Sequence, residues 1–303
     1  FRSIITSIKH RNSKKLYGVK TMPKVSVLMP VYKTPEKFLR EAIESILAQT
    51  FTDFEFLILD DCPTDNREQV VKSYADKRIK YAKNAQNMGI SASRNKLIDM
   101  AQGEYLAIFD HDDISLPERL EKEVAYLDAH PKCGVVSCAK NNIIGGKVVV
   151  YPENNAEITR QLFVSCCVIH SASMVRKSVL EANNIRYEEE YSPAEDYAMY
   201  CRLVGKTEFH NLPEVLFHYR NFAGNTTHLQ KRKMDDKTVQ IKDFVRRDNP
   251  LLWEKILPNV EQISRVKFFG LPLIKIVRRG ETTKGYLFGK IQLYTTKTKE
   301  VLK

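Results

Sequence analysis

The sequence lacks several features that would place it in a definite class. No apolar run reaches the roughly 18–20 residues of a membrane-spanning helix, and the start, FRSIITSIKHRNSKK, has no sustained apolar segment typical of a signal peptide. The cysteines form no Cys-x-x-Cys pair and no zinc-like spacing. We therefore expect no spanning segment or signal peptide, and we expect reduced core thiols in a cytosolic protein. The six cysteines are Cys62, Cys133, Cys138, Cys166, Cys167 and Cys201.

Acidic residues are absent from positions 1–24, which contain seven Lys/Arg. Residues 229–303 contain eighteen Lys/Arg and eight acids, so with a total of +11 the middle of the chain has a net charge of −6. Basic ends of this kind suit an anionic surface, either lipid headgroups or nucleic acid, although a merely solvated set of charges is an equal alternative. The acidic middle argues against nucleic acid lying across it.

Buried strands and amphipathic helices alternate through the first half of the chain. This alternation predicts an α/β, Rossmann-like and mostly parallel sheet with helices on both faces. Ligands bind such sheets at the carboxyl ends of the strands. The strands are predicted at VSVLMPV, FEFLILDDC, RIKYAKN and EYLAIFD, and the helices at PEKFLREAIESILAQ, residues 66–75, SASRNKLIDMAQ (closed by Gly103) and LPERLEKEVAYLDAH.

The second half of the chain is less regular. We predict a hairpin around Gly145-Gly146, helices in SMVRKSVLEANN and AEDYAMYCRLVG, an extended pair in FHNLPEVLFHYR, and a basic helix in KRKMDDKTVQIKDFVRRD. The similar segments KFFGLPLIKI and YLFGKIQLY indicate a small β-hairpin addition or an amphipathic tail that attaches to a membrane surface. The predicted organisation is a basic extension at 1–22, a catalytic domain at 23–228, and a basic helical and hairpin extension at 229–303.

Two clusters of carboxylates could carry chemistry. Asp110, Asp112 and Asp113 follow a strand in the motif DHDD, where they repel one another unless a cation such as Mg²⁺ or Mn²⁺ is shared. The alternative is an acidic turn that caps the next helix. Glu195 and Asp196 begin a helix, where both acids could simply favour the helix dipole or could include a general base.

The chain closely resembles the family 2 glycosyltransferases over about residues 22–220. The resemblance rests on PKVSVLMPVYKTPEKFLREAIESILAQTFTDFEFLILDDCPTD, NMGISASRN, GEYLAIFDHDDISLPERL and AEDYAMYCRL, which occur in the family's order. It implies the nucleotide-sugar-binding GT-A fold, inverting transfer, and a role of the bacterial cell-surface glycan type.

The resemblance also assigns roles to residues of the donor site. It implies that Pro30 and Tyr32 lie against the nucleoside base and that Asp61 hydrogen-bonds the base ring. Asp60 is expected to form a local turn instead. Gly89 would support the tight turn before Arg94, an arginine near the nucleotide.

The remaining assignments concern the metal and the reaction. Asp113 would be the principal metal ligand, Asp112 would contact the ribose or the metal, and Asp110 belongs to the same region. Asp196 would be the base, with Glu195 binding the acceptor or positioning the helix. Many relatives have a histidine where this chain has Phe222; His228 or His218 could replace it, and His228 is the candidate ligand. His170 is a further candidate near the sugar or acceptor pocket.

We therefore expect a metal-dependent hexosyl- or N-acetylhexosaminyl-transferase that uses a nucleotide-sugar, UDP-sugar above all, with Mn²⁺ or Mg²⁺. Its acceptor would be a glycan or lipid-linked glycan in lipopolysaccharide, capsule or other surface polysaccharide synthesis. The expected location is cytoplasmic, with peripheral attachment to the inner face of the plasma membrane as a hypothesis. The alternatives are a sugar-nucleotide nucleotidyltransferase, whose glycine-rich loop is missing from MPVYKTPEKF, and a non-enzymatic basic protein that binds membranes or nucleic acid.

Overall fold

The computed structural model describes residues 22–222 and 224–256, and the backbone of residues 261–268, 271–279, 282–287 and 291–297. The elements, in chain order, are β1 (Val25–Val31), α1 (Glu36–Leu47), β2 (Phe54–Asp60), α2 (Arg67–Lys72), β3 (Ile79–Lys83), α3 (Ile90–Met100), β4 (Tyr105–Ile108), β5 (Ile114–Ser115), α4 (Arg119–Ala129), β6 (Cys133–Asn142), β7 (Val148–Val149), α5 (Asn155–Leu162), β8 (Ser173–Arg176), α6 (Lys177–Ala182), α7 (Glu195–Leu203), β9 (Glu208–Tyr219), α8 (Thr226–Leu229), α9 (Lys231–Asp248), α10 (Pro250–Ile256), β10 (Glu261–Phe268), β11 (Leu271–Arg279), β12 (Thr282–Leu287) and β13 (Ile291–Lys297).

The first nine strands form one sheet in the order β3-β2-β1-β4-β8-β6-β9-β5, with β7 paired to β6. The pairs β1–β2, β2–β3, β1–β4 and β6–β9 are parallel, whereas β8 runs antiparallel between β4 and β6. The predicted mostly parallel α/β sheet is confirmed. Its topology brings the carboxyl ends of β1 to β4 to one edge.

Both faces of the sheet are covered, which explains why β1 and β2 are mainly apolar and are buried along their whole length. Successive residues of β1 enter different cores: Leu28 belongs to the cluster that includes α3 and α7, and Val27 to the cluster that includes α1 and α4. Helix α1 contributes a buried stripe at helical spacing, formed by Leu39, Ala42, Ile43 and Ile46.

Three predicted local features differ in the structure. The segment predicted as a helix at SMVRKSVLEANN begins with strand β8, because Ser173–Arg176 fills the gap between β4 and β6. The predicted extended pair is the single strand β9, in which the register against β6 passes from Leu212 to Val215, so Pro213 lies in a bulge. Helix α3 ends at Met100, and Gly103 instead lies against β1, where its N–H donates to Ser26 Oγ (2.8 Å).

The region after residue 228 contains both helices and strands. Helix α9 buries Ile241, Phe244 and Val245 in the same core as α7. Backbone pairing joins β10 to β13 into a four-stranded antiparallel sheet, and the two similar segments span its β10–β11 and β12–β13 connections. This pairing agrees with the predicted hairpin form, and attachment of the tail to a membrane surface stays a prediction.

The cysteines agree with the prediction of reduced thiols, since all six are free and all except Cys166 are fully buried. Among the described residues, no helix combines the length and apolarity that crossing a membrane would require.

Candidate active site

The candidate site lies at the edge where β1 to β4 end. Tyr32 follows β1, Asp61 follows β2, Asn84 follows β3 and Asp110 follows β4 by two residues. This edge is where parallel sheets bind ligands. The sequence placed functional residues after three of these four strands, and the structure adds Asn84.

Asp61 holds the loop that leads into α3. Its carboxylate accepts hydrogen bonds from the Asn84 side-chain amide (2.7 Å) and from the N–H groups of Met88 (2.8 Å) and Gly89 (2.9 Å). Gly89 has φ +82°, a conformation that a residue with a side chain rarely adopts, and it immediately precedes α3. The tight turn predicted at Gly89 is present, while base recognition by Asp61 stays a prediction.

Asp60 forms the local turn expected of it, because its carboxylate accepts the N–H of Cys62 (2.9 Å) and the hydroxyl of Tyr81 (3.0 Å).

Pro30 lies within β1, the strand predicted at VSVLMPV. It pairs with Leu59 of β2, whereas the β4 pairing stops at Leu28, so its missing N–H interrupts no ladder on the β4 side. Tyr32 is 44% exposed at the strand end, and Lys33 Nζ lies 5.1 Å from its ring centroid. An exposed ring at this place could stack on a planar base.

Arg94 links the DHDD turn to the start of α7. Its guanidinium donates to Glu195 (2.7 Å) and to Asp110 (3.1 Å), and the side chain is nearly fully buried. Burial opposes the charge of Arg94, but the carboxylates of Asp110 and Glu195 outweigh it and raise the pKa of the guanidinium. The predicted nucleotide contact stays a prediction, and the observed contacts tie together two carboxylate clusters that are 85 residues apart in the sequence.

Asp113 is buried and faces the protein interior. One carboxylate oxygen accepts the Arg220 N–H (2.8 Å) and the other accepts the Ser171 hydroxyl (3.0 Å). Burial first, and then the charges of Asp112 and Asp110, raise its pKa well above the usual range. These contacts give Asp113 a role in fixing the turn.

Asp110 and Asp112 are partly exposed on the same turn. Burial raises the pKa of Asp112; the charge of His111 opposes this and that of Asp110 adds to it. The His111 ring is fixed by a hydrogen bond between its Nδ1 and Thr34 Oγ1 (2.7 Å). Two neighbouring carboxylates of this turn are therefore partly open to solvent.

The predicted ligand set of Asp113, Asp112 and His228 is not assembled in the structure. His228 is exposed and its Nε2 lies 2.6 Å from Asn221 Oδ1, while Asp113 faces Ser171 and Arg220. Within residues 22–222 and 224–256, no three His, Cys, Asp or Glu side chains converge on one point as an all-protein metal shell.

Phe222, at the place where relatives often have histidine, packs edge-to-face on Phe38 of α1 with ring centroids 5.6 Å apart. The guanidinium of Arg220 lies over the Phe38 ring, 4.1 Å from its centroid, and forms an ion pair with Glu41. Its Nε also donates to the Asp112 carbonyl (2.7 Å). No role is predicted for Arg220 from the sequence, although it lies in HYRNF two residues before the position where many relatives have histidine.

Asp196 and Glu195 start α7 in different surroundings. Glu195 is buried, with one oxygen on Arg94 and the other without a partner among the described residues. Asp196 is partly exposed, and its carboxylate accepts the N–H of Tyr197 (2.7 Å). Burial and then the charge of Glu195 raise the pKa of Asp196 to about 6, against the opposing charge of Arg94. A carboxylate with this pKa can accept a proton near neutral pH.

His170 is a buried, neutral member of a hydroxyl network. Its Nδ1 lies 2.9 Å from the Tyr200 hydroxyl and its Nε2 3.2 Å from the Tyr187 hydroxyl. Burial and the charge of Arg94 lower its pKa well below the usual range. His218, on β9, pairs with Ile114 of β5. Neither imidazole joins the carboxylates of the DHDD turn.

The curled, mostly parallel sheet with carboxylates at its carboxyl edge defines a GT-A fold, and solved structures agree. TarS of Staphylococcus aureus, solved with UDP-GlcNAc, superposes with a TM-score of 0.62 at 22% identity, over 77% of this chain and 73% of that one. The mannosyltransferase PcManGT of Pyrobaculum calidifontis, solved with GDP-Man and Mn²⁺, gives 0.61 at 19% identity, over 78% and 68%.

The sequence comparisons identify the family. The model for Glycosyl transferase family 2 matches residues 26–183, more than half of the chain. The uncharacterized glycosyltransferase MJ1057 of Methanocaldococcus jannaschii is 34% identical over 230 residues, 72% of this chain and 79% of that protein. TarS, named a poly(ribitol-phosphate) beta-N-acetylglucosaminyltransferase, is 31% identical over 185 residues, 58% of this chain and 31% of TarS. The chain belongs to glycosyl transferase family 2.

Proposed function

We propose that the protein is an inverting, metal-dependent glycosyltransferase that moves a hexosyl or N-acetylhexosaminyl group from a UDP-sugar to a hydroxyl of a surface glycan. One observation carries this proposal: Arg94 bonds both Asp110 of the donor turn and Glu195 beside Asp196. The donor turn and the candidate base are thereby held at one edge of the sheet. The UDP-GlcNAc complex of TarS, and the polymer named in its activity, support the donor and acceptor classes.

The donor half of the site is formed by β1 to β4. We assign the exposed Tyr32 ring to the nucleobase and Asp61 to the polar edge of that base, on the loop that Asp61 itself holds in place. The partly exposed Asp110 and Asp112 face the region where the diphosphate of the same donor would lie.

The carboxylates present fit a divalent cation. Mg²⁺ and Mn²⁺ in nucleotide sites are commonly held by one or two carboxylates together with substrate phosphates and waters, so a three-residue protein shell is unnecessary. Asp112 and Asp110 supply hard oxygen donors, and their mutual repulsion would be relieved by a cation. When bound, such an ion would neutralise charge on the departing diphosphate.

Asp196 is the proposed general base. Its partly exposed carboxylate would take the proton of the acceptor hydroxyl while that oxygen attacks the anomeric carbon from the face opposite the diphosphate. Glu195 is buried against Arg94, so it positions the start of α7 and does not need to contact the acceptor.

The test is release of nucleoside diphosphate from a panel of UDP- and GDP-sugars, with and without Mn²⁺, in the presence of glycan acceptors. We expect UDP release that requires a divalent ion and an acceptor. Absence of both turnover and nucleotide-sugar binding across the panel would overturn the proposal.

A further inference from the structure

A hairpin at the catalytic edge exposes a group of aliphatic side chains. The hairpin tip, residues 142–150, comprises the last residue of β6, a turn at Gly145 and Gly146, which both have positive φ, and β7. Four of its side chains are open to solvent: Ile143 (38% exposed), Ile144 (64%), Val148 (51%) and Val150 (56%). Single exposed aliphatic residues are ordinary, but four on one short hairpin form a patch typical of a contact surface.

The base of the hairpin is attached to the donor turn. The N–H of Ile143 donates to the carbonyl of Tyr219 (2.9 Å), and Lys140 Nζ lies 3.7 Å from the Tyr219 ring centroid. The next residue, Arg220, holds Asp112 and Asp113. The hairpin tip therefore extends from the same edge of the sheet that carries the reacting groups.

The charge of this segment suits one kind of partner. Residues 140–152 contain no acidic residue; Lys147 is exposed at the tip, and Lys140 lies at the base against the Tyr219 ring. Exposed aliphatic side chains beside a lysine suit the interface of an anionic bilayer, where the apolar groups are buried and the ammonium group of Lys147 meets phosphate.

We propose that the hairpin tip docks on an anionic lipid surface and turns the active site towards it. The acceptor would then be a glycan whose lipid carrier lies in that bilayer, a statement that rests on the proposed function. The docking itself does not depend on the reaction, so the two can fail separately.

A tryptophan at the hairpin tip can distinguish insertion of the tip into the bilayer from electrostatic attraction of the basic chain ends to its surface. In an Ile144→Trp variant that also carries Trp253→Phe, the only tryptophan is at the tip. Its fluorescence emission should shift to shorter wavelength when phosphatidylglycerol vesicles are added, and brominated acyl chains should quench it. Leu251→Trp, at a position 74% exposed on α10, is the matched control and should show neither change. Binding of the protein without quenching at position 144 would overturn the proposal.

The energetic contribution of the tip can be measured in the full chain. Ile144→Ser/Val148→Ser/Val150→Ser should weaken partitioning to phosphatidylglycerol vesicles by about tenfold or more, since each aliphatic group loses favourable burial. Val239→Ser/Leu251→Ser, which removes exposed aliphatic groups from α9 and α10, should leave it unchanged.

The same triple variant should keep transfer to a water-soluble acceptor and lose transfer to a lipid-linked acceptor in vesicles. Equal losses with both acceptors, no vesicle binding by the wild type, or concentration-dependent self-association that the variant abolishes would each contradict membrane docking. The last result would assign the patch to a second copy of the chain.

Discussion

Glu195 and Asp196 are neighbours in the sequence, yet the structure separates their roles. Glu195 is buried and one of its oxygens accepts a hydrogen bond from Arg94, while Asp196 is partly exposed. The sequence identified this pair but could not divide the roles, because the division depends on Arg94, 101 residues away from Glu195. The contacts of Asp113 with Ser171 and Arg220 could not be predicted either, because they join residues far apart in the sequence and leave no local pattern.

Asp196→Asn should lower kcat by about 10²–10⁴-fold, the usual contribution of a general base, while the Kd for the nucleotide stays near the wild-type value. Because its pKa of about 6 means that the carboxylate is protonated at lower pH, wild-type kcat should fall as pH drops below about 6. Steady-state kinetics across pH and calorimetric titration of UDP measure both effects.

Glu190→Gln, an exposed acid before α7, is the control and should keep normal kcat. Two results would argue against the role of base. One is a kcat of the Asp196→Asn variant that still falls at low pH as in the wild type, and the other is an equal loss in kcat and in UDP affinity.

At the scale of elements, the sequence predicted the first half of the sheet well because each strand is a short apolar run followed by an amphipathic helix. It failed where tertiary contacts decide. The SMVR segment forms β8 because its two neighbours leave a strand-sized gap, and β9 continues past Pro213 because a bulge removes the need for its N–H.

Gly103 offers a test of packing between the α3–β4 connection and β1. A Cβ added there would lie 2.5 Å from the Ser26 nitrogen and 2.7 Å from the Val25 carbonyl carbon, both of which are backbone atoms. Gly103→Ala should therefore reduce the free energy of unfolding by roughly 1–3 kcal/mol, measured by urea denaturation.

Gly134→Ala is the matched control for this packing. The atoms nearest to its added Cβ belong to the Thr207 side chain and not to the backbone, so a smaller loss is expected. Equal stability of Gly103→Ala and the wild type would show that β1 accommodates the methyl group.

Helix α4 contributes a fully buried carboxyl group to the interior of the molecule. Glu123 has no hydrogen-bond partner among the described residues, and burial raises its pKa from 4.5 to about 8, with the charge of Arg119 opposing. The folded state therefore binds this proton more tightly than the unfolded chain. The contribution to stability is present below about pH 4.5 and is lost as the pH rises towards about 8.

Glu123→Gln should raise the melting temperature at pH 8 and make the free energy of unfolding less dependent on pH between 5 and 8. Glu121→Gln, at an exposed position on the same helix, should leave the pH dependence unchanged. Thermal denaturation followed by circular dichroism measures both. A Glu123→Gln variant that is less stable than the wild type at pH 8 would contradict this assignment.

Two contacts, Arg94 with Glu195 and Asp113 with Ser171, limit how segments can be exchanged between relatives. A chimera that exchanges the segment from β6 to α7 between two relatives would replace Glu195 and Ser171 while keeping Arg94 and Asp113. The two partners of each contact then come from different parents, so the buried charge of Arg94 or the carboxylate of Asp113 can lose its partner. Such grafts should succeed only when both sides of these two contacts are inherited from compatible parents.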